Sequence, residues 1–474
     1  MYFHAREDLN VEDIAIDSRL VHPGSLFVAI SGETEDGHDF INAAAARGAV
    51  CVVCEKPPEI DIAYVLVSDT HAALGLLAAR FYGEPAEKLT LIGVTGTNGK
   101  TTTTYLLKQL LEKTEGAKVG LIGTNRNMIG QEILDTERTT PDALSLQRLF
   151  SQMVKAGCRY AVMEVSSHAL MQKRTAGLHF AVGIFTNLTQ DHLDYHGTME
   201  AYCDAKAKLF SSCDAAVVNG DDPWTPRLLE GFTGKVVTFG QGLTNDVVAY
   251  RPRYENDRVR FAACSDTDHV ETYLMIPGAF SLYNALGALA AMQTLGVSLP
   301  SCAKALKTCT GVCGRCEVVP VPADYTVIID YAHTPDGLKN ILTAVCGFAE
   351  ERVIAVFGCG GDRDRTKRAR MGKISAALAD FVVLTSDNPR TEDPYAILRE
   401  VYSGMENAET PFAIIEDRRE AIRFALRSAR RGDVVVLCGK GHETYQVIGT
   451  TKYPLDEREV VRAYFEKEQR KDTE

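Results

Sequence analysis

Leu89-Thr-Leu-Ile-Gly-Val94 followed by Thr95-Gly96-Thr97-Asn98-Gly99-Lys100-Thr101-Thr102 is the stretch whose reading decides the fold. An apolar run long enough for a buried strand breaks into a Gly-rich turn, and the turn opens onto helical spacing. In that setting backbone N–H groups and a helix N-terminus hold phosphates. Lys100 would reach the terminal phosphates and Thr101 would ligate Mg²⁺. The strict spacing of such loops fails, because Val94 stands where the first Gly belongs, so this is a shortened variant. Gly96 to Thr102 are thus the candidate nucleotide-phosphate residues.

Outward from that loop, apolar strand candidates alternate with helical stretches. Lys118–Ile122, Tyr160–Val165, Val182–Phe185 and Ala215–Val218 read as strands, with helices near Ala143–Lys155 and Met199–Phe210. This is the pattern of a parallel sheet. Between Lys235 and Ile276 short strands recur without helices, which predicts an antiparallel extension, and Tyr283–Leu295 follows as an Ala-rich helix. Upstream, residues 1–88 mix short strands with a helix over His71–Phe81, a small α/β domain. From Gly314 the alternation resumes with Thr326–Asp330, Val353–Phe357, Phe381–Thr385 and Val434–Cys438, a doubly wound, Rossmann-like domain. At about 150 residues per domain the 474-residue chain has room for about three. The expected fold is α/β with domains 1–88, 89–313 and 314–474.

With 51 Lys and Arg against 63 Asp and Glu, the net charge is −12, a poor footprint for nucleic acid or an anionic membrane. No apolar run approaches the roughly 20 residues that span a bilayer, and Met1 to Asn10 lacks the apolar core of a signal peptide. A cytoplasmic monomer with no membrane insertion is expected. The 13 cysteines fit reduced thiols better than a disulfide framework. Cys51 and Cys54 lie in an apolar run, and Cys313 and Cys316 have no second pair nearby, so neither Cys-x-x-Cys reads as a zinc site.

Two further segments carry chemistry. Tyr160-Ala-Val-Met-Glu164-Val-Ser166-Ser167-His168 puts a carboxylate at a strand's C-terminal end, where open α/β sheets keep their sites, so Glu164 could hold the Mg²⁺ that Thr101 touches. Asn187 and the run Asp191-His192-Leu-Asp194-Tyr-His196 also follow a strand. The residues to this point leave hydrolysis, kinase action and ligation open.

Together, Gly96–Thr102, Glu164–His168, Asn187 with Asp191-His192, Tyr331-Ala-His333 after Asp330, Asp17-Ser18-Arg19 and Gly439-Lys-Gly-His-Glu443 resemble the Mur ligases over essentially the whole chain. That resemblance implies ATP-dependent amide ligation in peptidoglycan precursor synthesis. Within the family the chain looks most like the third amino-acid-adding enzyme, acting on UDP-N-acetylmuramoyl-L-alanyl-D-glutamate. By the same resemblance the first domain takes the UDP-sugar near Ser18, Glu33, Thr34 and Glu35, and Thr139, Thr140, Ser166, Gln172 and Arg174 line the path of the muramoyl dipeptide. It also implies a CO₂-derived carbamate on Lys206 that, with Glu164 and His192, ligates a second Mg²⁺. Lys100, Glu164, His192 and Lys206 are then the catalytic set, and Asn284, Arg315 and Asp330 complete the ATP site. Cys313 and Cys316 stand where the family usually has Pro and Met.

Asp387-Asn388-Pro389-Arg390 follows a predicted strand and so faces a cleft. Meso-diaminopimelate differs from L-lysine by a second carboxylate, and a guanidinium binds a carboxylate through two parallel hydrogen bonds. Arg390 is therefore the discriminating residue, and the resemblance adds Arg363, Asp387, Asn388, Pro389, Gly439 and Glu443, with Glu443 pairing the distal ammonium. Alternative readings are an L-lysine-adding enzyme, a folylpolyglutamate synthase-like ligase, and a nucleotide-dependent binding module without chemistry.

Overall fold

The computed structural model describes residues 2–4, 9–32, 35–136 and 138–471. Its strands form a five-stranded, an eleven-stranded and a six-stranded sheet and one two-stranded hairpin. Thr90–Thr95 lies inside the largest sheet, parallel to Tyr160–Glu164 on one side and Phe180–Phe185 on the other. Its side chains are buried on both faces, which is why it reads as an unbroken apolar run. Ile92 and Val94 pack with Leu106, Leu107 and Leu110 of the helix Lys100–Glu115 and with Leu282, Leu286 and Leu289 of the helix Ala279–Thr294. On the opposite face Leu91 joins Phe150, Met163, Phe180 and Phe210.

The expected antiparallel extension is only partly so. Lys235–Gly240 pairs parallel with Cys213–Asn219 and with Val247–Tyr254, and only Val247–Tyr254, Val259–Cys264 and His269–Leu274 run antiparallel. The short helix Thr225–Leu228 carries the chain back across the sheet before Lys235, and such a crossover delivers a parallel strand. The hairpin Asn127–Ile129 and Glu132–Leu134 extends the other edge, where the sequence reading had no strand.

In the third sheet Val434–Cys438 inserts between Thr326–Asp330 and Val353–Phe357. Helices Pro335–Cys346, Thr366–Leu378 and Pro394–Tyr402 pack on one face, and Arg418–Ser428 with Glu457–Lys471 covers the other. The strand ends at Asp330, Phe357, Leu384 and Cys438 therefore surround a crevice of the kind that binds ligands in doubly wound sheets.

The first and second units touch at a close-packed seam, and the boundary between the second and third is held from both sides. Gly75, in the helix Thr70–Phe81 of the first unit, lies so close to the loop at Ala176 that a Cβ would stand 2.4 Å from the Ala176 carbonyl oxygen. Asp69 pairs with Lys173 of the same loop. At the other junction Gly314 has φ +71° and is pressed on Gly441 and His442, a Cβ there falling 2.1 Å from the His442 nitrogen. Asn125 Nδ2 donates to the Cys313 carbonyl at 3.0 Å. Every cysteine is a free thiol, and Cys51 and Cys54 are buried in a strand as expected.

Candidate active site

The turn after Thr95 is built for close approach. Gly96 has φ +145°, and a Cβ would meet Thr186 Oγ1 at 1.9 Å, so no larger residue fits. Thr186 Oγ1 and Asn187 Nδ2 donate to the Asn98 carbonyl at 2.6 and 3.1 Å, and Asn98 N–H donates to Asn187 Oδ1 at 3.0 Å. Thus Asn187 braces the loop. Lys100 curls over it, with Nζ donating to the Gly96 and Thr97 carbonyls at 2.9 Å each.

Lys206, on the helix Met199–Ala207, converges on the same carbonyl, its Nζ 3.0 Å from Gly96 O. It is 1% exposed, lies 4.2 Å above the Tyr202 ring, and no carboxylate pairs with it among the described residues. Burial first, and the Lys100 charge second, hold its pKa well below the usual lysine value. Lys100 is lowered as well, chiefly by burial. Two amines on one carbonyl oxygen, that of Lys206 fully buried, is an arrangement no local pattern in the sequence reveals.

Glu164 is 1% exposed at its strand end. Its Oε1 accepts from Thr124 N–H at 2.9 Å and its Oε2 from Thr124 Oγ1 at 3.0 Å, and Thr124 Oγ1 lies 3.0 Å from Thr139 Oγ1. Thr140 Oγ1 donates to the Glu164 carbonyl at 2.8 Å and accepts from Ser166 N–H at 3.1 Å. Arg174 reaches the Thr140 carbonyl at 2.8 Å and Gln172 Oε1 at 3.0 Å. Thr139, Thr140, Ser166, Gln172 and Arg174 are therefore one connected cluster beside Glu164. Thr124 is the member that sequence reasoning missed.

His192 sits apart from that cluster, 47% exposed, with its Nε2 3.5 Å from Asp191 and its ring edge-on to His168 at 4.9 Å. Burial, Lys100 and Lys206 lower its pKa against the opposing pull of Asp191. Neither Glu164 nor Lys206 hydrogen-bonds to it. Its backbone is left-handed, φ +53°, and its ring also lies edge-on to Tyr202 at 6.1 Å.

Across from the loop, Asp330 is held by Cys316 N–H at 2.7 Å and Ala332 N–H at 2.8 Å, and burial raises its pKa. Arg315 stacks on the Tyr331 ring at 5.0 Å. A cleft of about 850 Å³ joins Thr97, Asn98, Gly99 and Asn284 on one wall to Arg315 and Asp330 on the other. The structure thus brings together the phosphate loop and the three further residues expected for ATP.

In the third unit, Arg390 Nη1 donates to the Gly361 carbonyl at 2.7 Å, from a left-handed backbone with φ +51°. Gly360 lies beside both Arg390 and Arg363. Arg363 is exposed and among the described residues bonds only its neighbour's carbonyl, Asp362 O, at 3.1 Å. Asp387, Asn388 and Glu443 gather around Lys440, and Gly439, φ +115°, lies against the Asp387 carboxylate. The expectation that Glu443 stands ready for a substrate ammonium is thereby modified, because one of its oxygens is already taken by Lys440 and Asn388.

At the first unit, Ser18 opens a short turn capped by Asp17, and Glu35 is exposed. Glu33 and Thr34 lie outside the described residues.

The donor set suits a hard cation only with help. No three His, Cys, Asp or Glu side chains among the described residues group as a metal site. Thr101 and Glu164 offer oxygen, the donor Mg²⁺ prefers, and phosphate and carbamate oxygens would have to complete it.

Comparison with known proteins agrees with this geometry. Profiles of the Mur ligase middle domain match residues 94–292, of the Mur ligase glutamate ligase domain 314–441, and of the Mur ligase family catalytic domain 10–82. A UDP-N-acetylmuramoyl-L-alanyl-D-glutamate–2,6-diaminopimelate ligase of Caldanaerobacter subterraneus is 46% identical over 460 residues, 96% of this chain and 95% of that one. A solved structure of a ligase of the same description superposes with a TM-score of 0.74 at 33% identity, covering 98% of this chain and 96% of that one. The MurF ligase of Thermotoga maritima in complex with ADP shares the fold, with a TM-score of 0.65 at 22% identity over 98% of this chain and 100% of that one.

Proposed function

The chain belongs to the Mur ligase family, and from that premise we propose that it is an ATP-dependent ligase joining meso-diaminopimelate to the D-glutamyl γ-carboxylate of UDP-N-acetylmuramoyl-L-Ala-D-Glu. The observation that carries this reading is the shared cleft, in which a phosphate loop and a strand-end carboxylate of another sheet face each other across about 850 Å³. We divide the labour at residues 88 and 313, giving UDP-sugar, ATP and amino acid one unit each. ATP as co-substrate fits a cytoplasmic enzyme, and no helix among the described residues is long and apolar enough to cross a membrane.

In this mechanism the loop amides and Lys100 hold the ATP phosphates while Asp330 and Arg315 hold the nucleoside end. The glutamyl carboxylate attacks the γ-phosphorus, ADP leaves, and an acyl phosphate forms. The diaminopimelate amine then attacks the acyl carbon, loses its proton and expels phosphate. Arg174, already aimed by Gln172 and the Thr140 carbonyl, suits the anionic dipeptide. Thr101, Glu164, His192 and a carbamate on Lys206 would hold Mg²⁺, which supplies neutralisation of the phosphate charge as it shifts. Lys206 fits that carbamate for a reason visible in its surroundings. A buried amine with a lowered pKa is neutral often enough to take up CO₂, and becoming an anion would relieve its opposition to Lys100.

Arg390 favours diaminopimelate over L-lysine, whose distal end has no carboxylate to meet it. The test is phosphate release from ATP, Mg²⁺ and UDP-N-acetylmuramoyl-L-Ala-D-Glu with either amine. Release with diaminopimelate alone is expected. Release with L-lysine would refute the specificity, and silence with both would refute the ligase reading.

A further inference from the structure

Lys440 is a fully buried lysine in the middle of the third unit's crevice, and none of the roles above uses it. Its Nζ lies 2.5 Å from Asn388 Oδ1, 3.1 Å from Glu443 Oε2 and 3.3 Å from Asp387 Oδ1, with the side chain 0% exposed. Two of these oxygens take hydrogen bonds from the ammonium, and the Asp387 carboxylate pairs with its charge, its Oδ1 having no hydrogen-bond donor of its own among the described residues. The neighbouring cation cannot substitute for it. Arg418 is equally buried and is spent on Glu457 at 2.8 Å and on the Cys438 carbonyl at 2.7 Å.

The consequence falls on Glu443 and Asn388. Glu443 Oε2 takes both Lys440 and Asn388 Nδ2, the latter at 3.1 Å, while Oε1 accepts no hydrogen bond among the described residues. Asn388 Oδ1 in turn accepts from Lys440 and from Val447 N–H at 2.8 Å, which sets the flip of its amide. Arg390, in the same strand-end loop, spends Nη1 on Gly361 and leaves Nη2 and Nε without a partner among the described residues. A free carboxylate oxygen and a free guanidinium edge in one crevice are complementary to an ammonium and a carboxylate on one carbon.

We propose that Lys440 is the positioning residue for recognition of the diamino acid's distal amino-acid centre, clamping Glu443 and Asn388 so that Glu443 Oε1 meets the distal ammonium while Arg390 meets the distal carboxylate. This rests on the diaminopimelate-adding reading. Lys440 touches no substrate in this scheme. Without its charge, Asp387 and Glu443 lose the cation that stands between them, and Glu443 keeps only the Asn388 bond to fix its orientation.

The test compares Lys440→Met and Lys440→Gln, each alone and combined with Glu443→Gln, by phosphate release at varied diaminopimelate and varied ATP. Removing one partner from a buried charge-assisted set predicts a diaminopimelate KM raised about 10- to 100-fold, with the ATP KM and saturated kcat within about twofold. In the Glu443→Gln background the Lys440 substitutions should add nothing further, because the group they position is already gone. Lys440→Gln keeps a donor toward Asn388, so it carries the measurement if the Met variant fails to fold. An unchanged diaminopimelate KM, an equal rise in the ATP KM, or full additivity with Glu443→Gln would overturn the proposal. The unmodified enzyme run alongside separates the two ideas, since its failure to use diaminopimelate would refute the functional reading and not the role of Lys440.

Discussion

Replacing Lys206 with Met should make the carbonate-free protein more heat-stable near neutral pH and flatten its dependence on pH. In the folded chain this amine is buried, shares the Gly96 carbonyl with Lys100, and has a pKa held well below the ordinary value. In the unfolded chain it titrates near about 10.4. Between those two values the unfolded state carries the extra proton, so stability rises with pH, by up to about 1.4 kcal/mol per pH unit for one group. For a domain of this kind that slope equals about 3–5 °C in Tm per unit. Lys100, lowered in the same sense, adds its own slope, which the substitution leaves in place. The assay is differential scanning calorimetry of both proteins from pH 6.5 to 8.5 in degassed buffer, following the difference in Tm so that other titrating groups cancel. The Lys206→Met protein should melt higher at the acid end, with the gap closing as pH rises. Bicarbonate should then raise the Tm of the unsubstituted protein and leave the variant where it was. Parallel lines for the two proteins would refute the reasoning.

Arg390→Ala removes the guanidinium edge left free by the Gly361 bond, and a lost charge-assisted pair of about 1.5–3 kcal/mol predicts a diaminopimelate KM raised about 10- to 150-fold with ATP binding intact; steady-state kinetics with each substrate varied checks it. Gly96→Ala drives a methyl into Thr186, whose hydroxyl braces Asn98, so ATP affinity measured by calorimetric titration should fall by at least about tenfold while the far-ultraviolet spectrum is kept. Glu392 is held down to about 2, first by its hydrogen bonds from Arg368, so it contributes stability in full above its ordinary 4.5 and loses it as pH falls toward 2. Glu392→Gln should therefore melt lower than the parent at pH 6, and the difference should shrink through that acid range.

The parts of this fold that can be read from sequence are those where one physical constraint acts on consecutive residues. Thr90–Thr95 is buried on both faces and shows it as an apolar run, and the loop after it needs glycine at 96 for a reason that Thr186 makes plain. Strand direction at Lys235–Gly240 is different, since it depends on a four-residue helix that no periodicity announces. The site divides in the same way. Gly96 to Thr102, Glu164 and Arg390 lie at strand ends where chemistry is expected. Lys440 stands in the Gly439-Lys-Gly-His-Glu443 motif with no local sign of its burial, and only the fold brings Asn388, 52 residues earlier, to its ammonium. Thr124 is invisible for the same reason, its partner Glu164 lying 40 residues on. His192 shows the converse, a dense local motif whose side chain is half in solvent.

The seat of the first unit has a consequence for what the enzyme accepts. The loop that receives Gly75 and pairs Lys173 with Asp69 is also the loop that carries Gln172 and Arg174. On the proposed assignment, the unit that grips the nucleotide-sugar end is seated on the same segment that grips the peptide, so the span between them is fixed like the jaws of a caliper. A precursor one amino acid shorter would leave its carboxylate short of Glu164, and one longer would carry it past. Length, as well as chemistry, is then a property the enzyme measures.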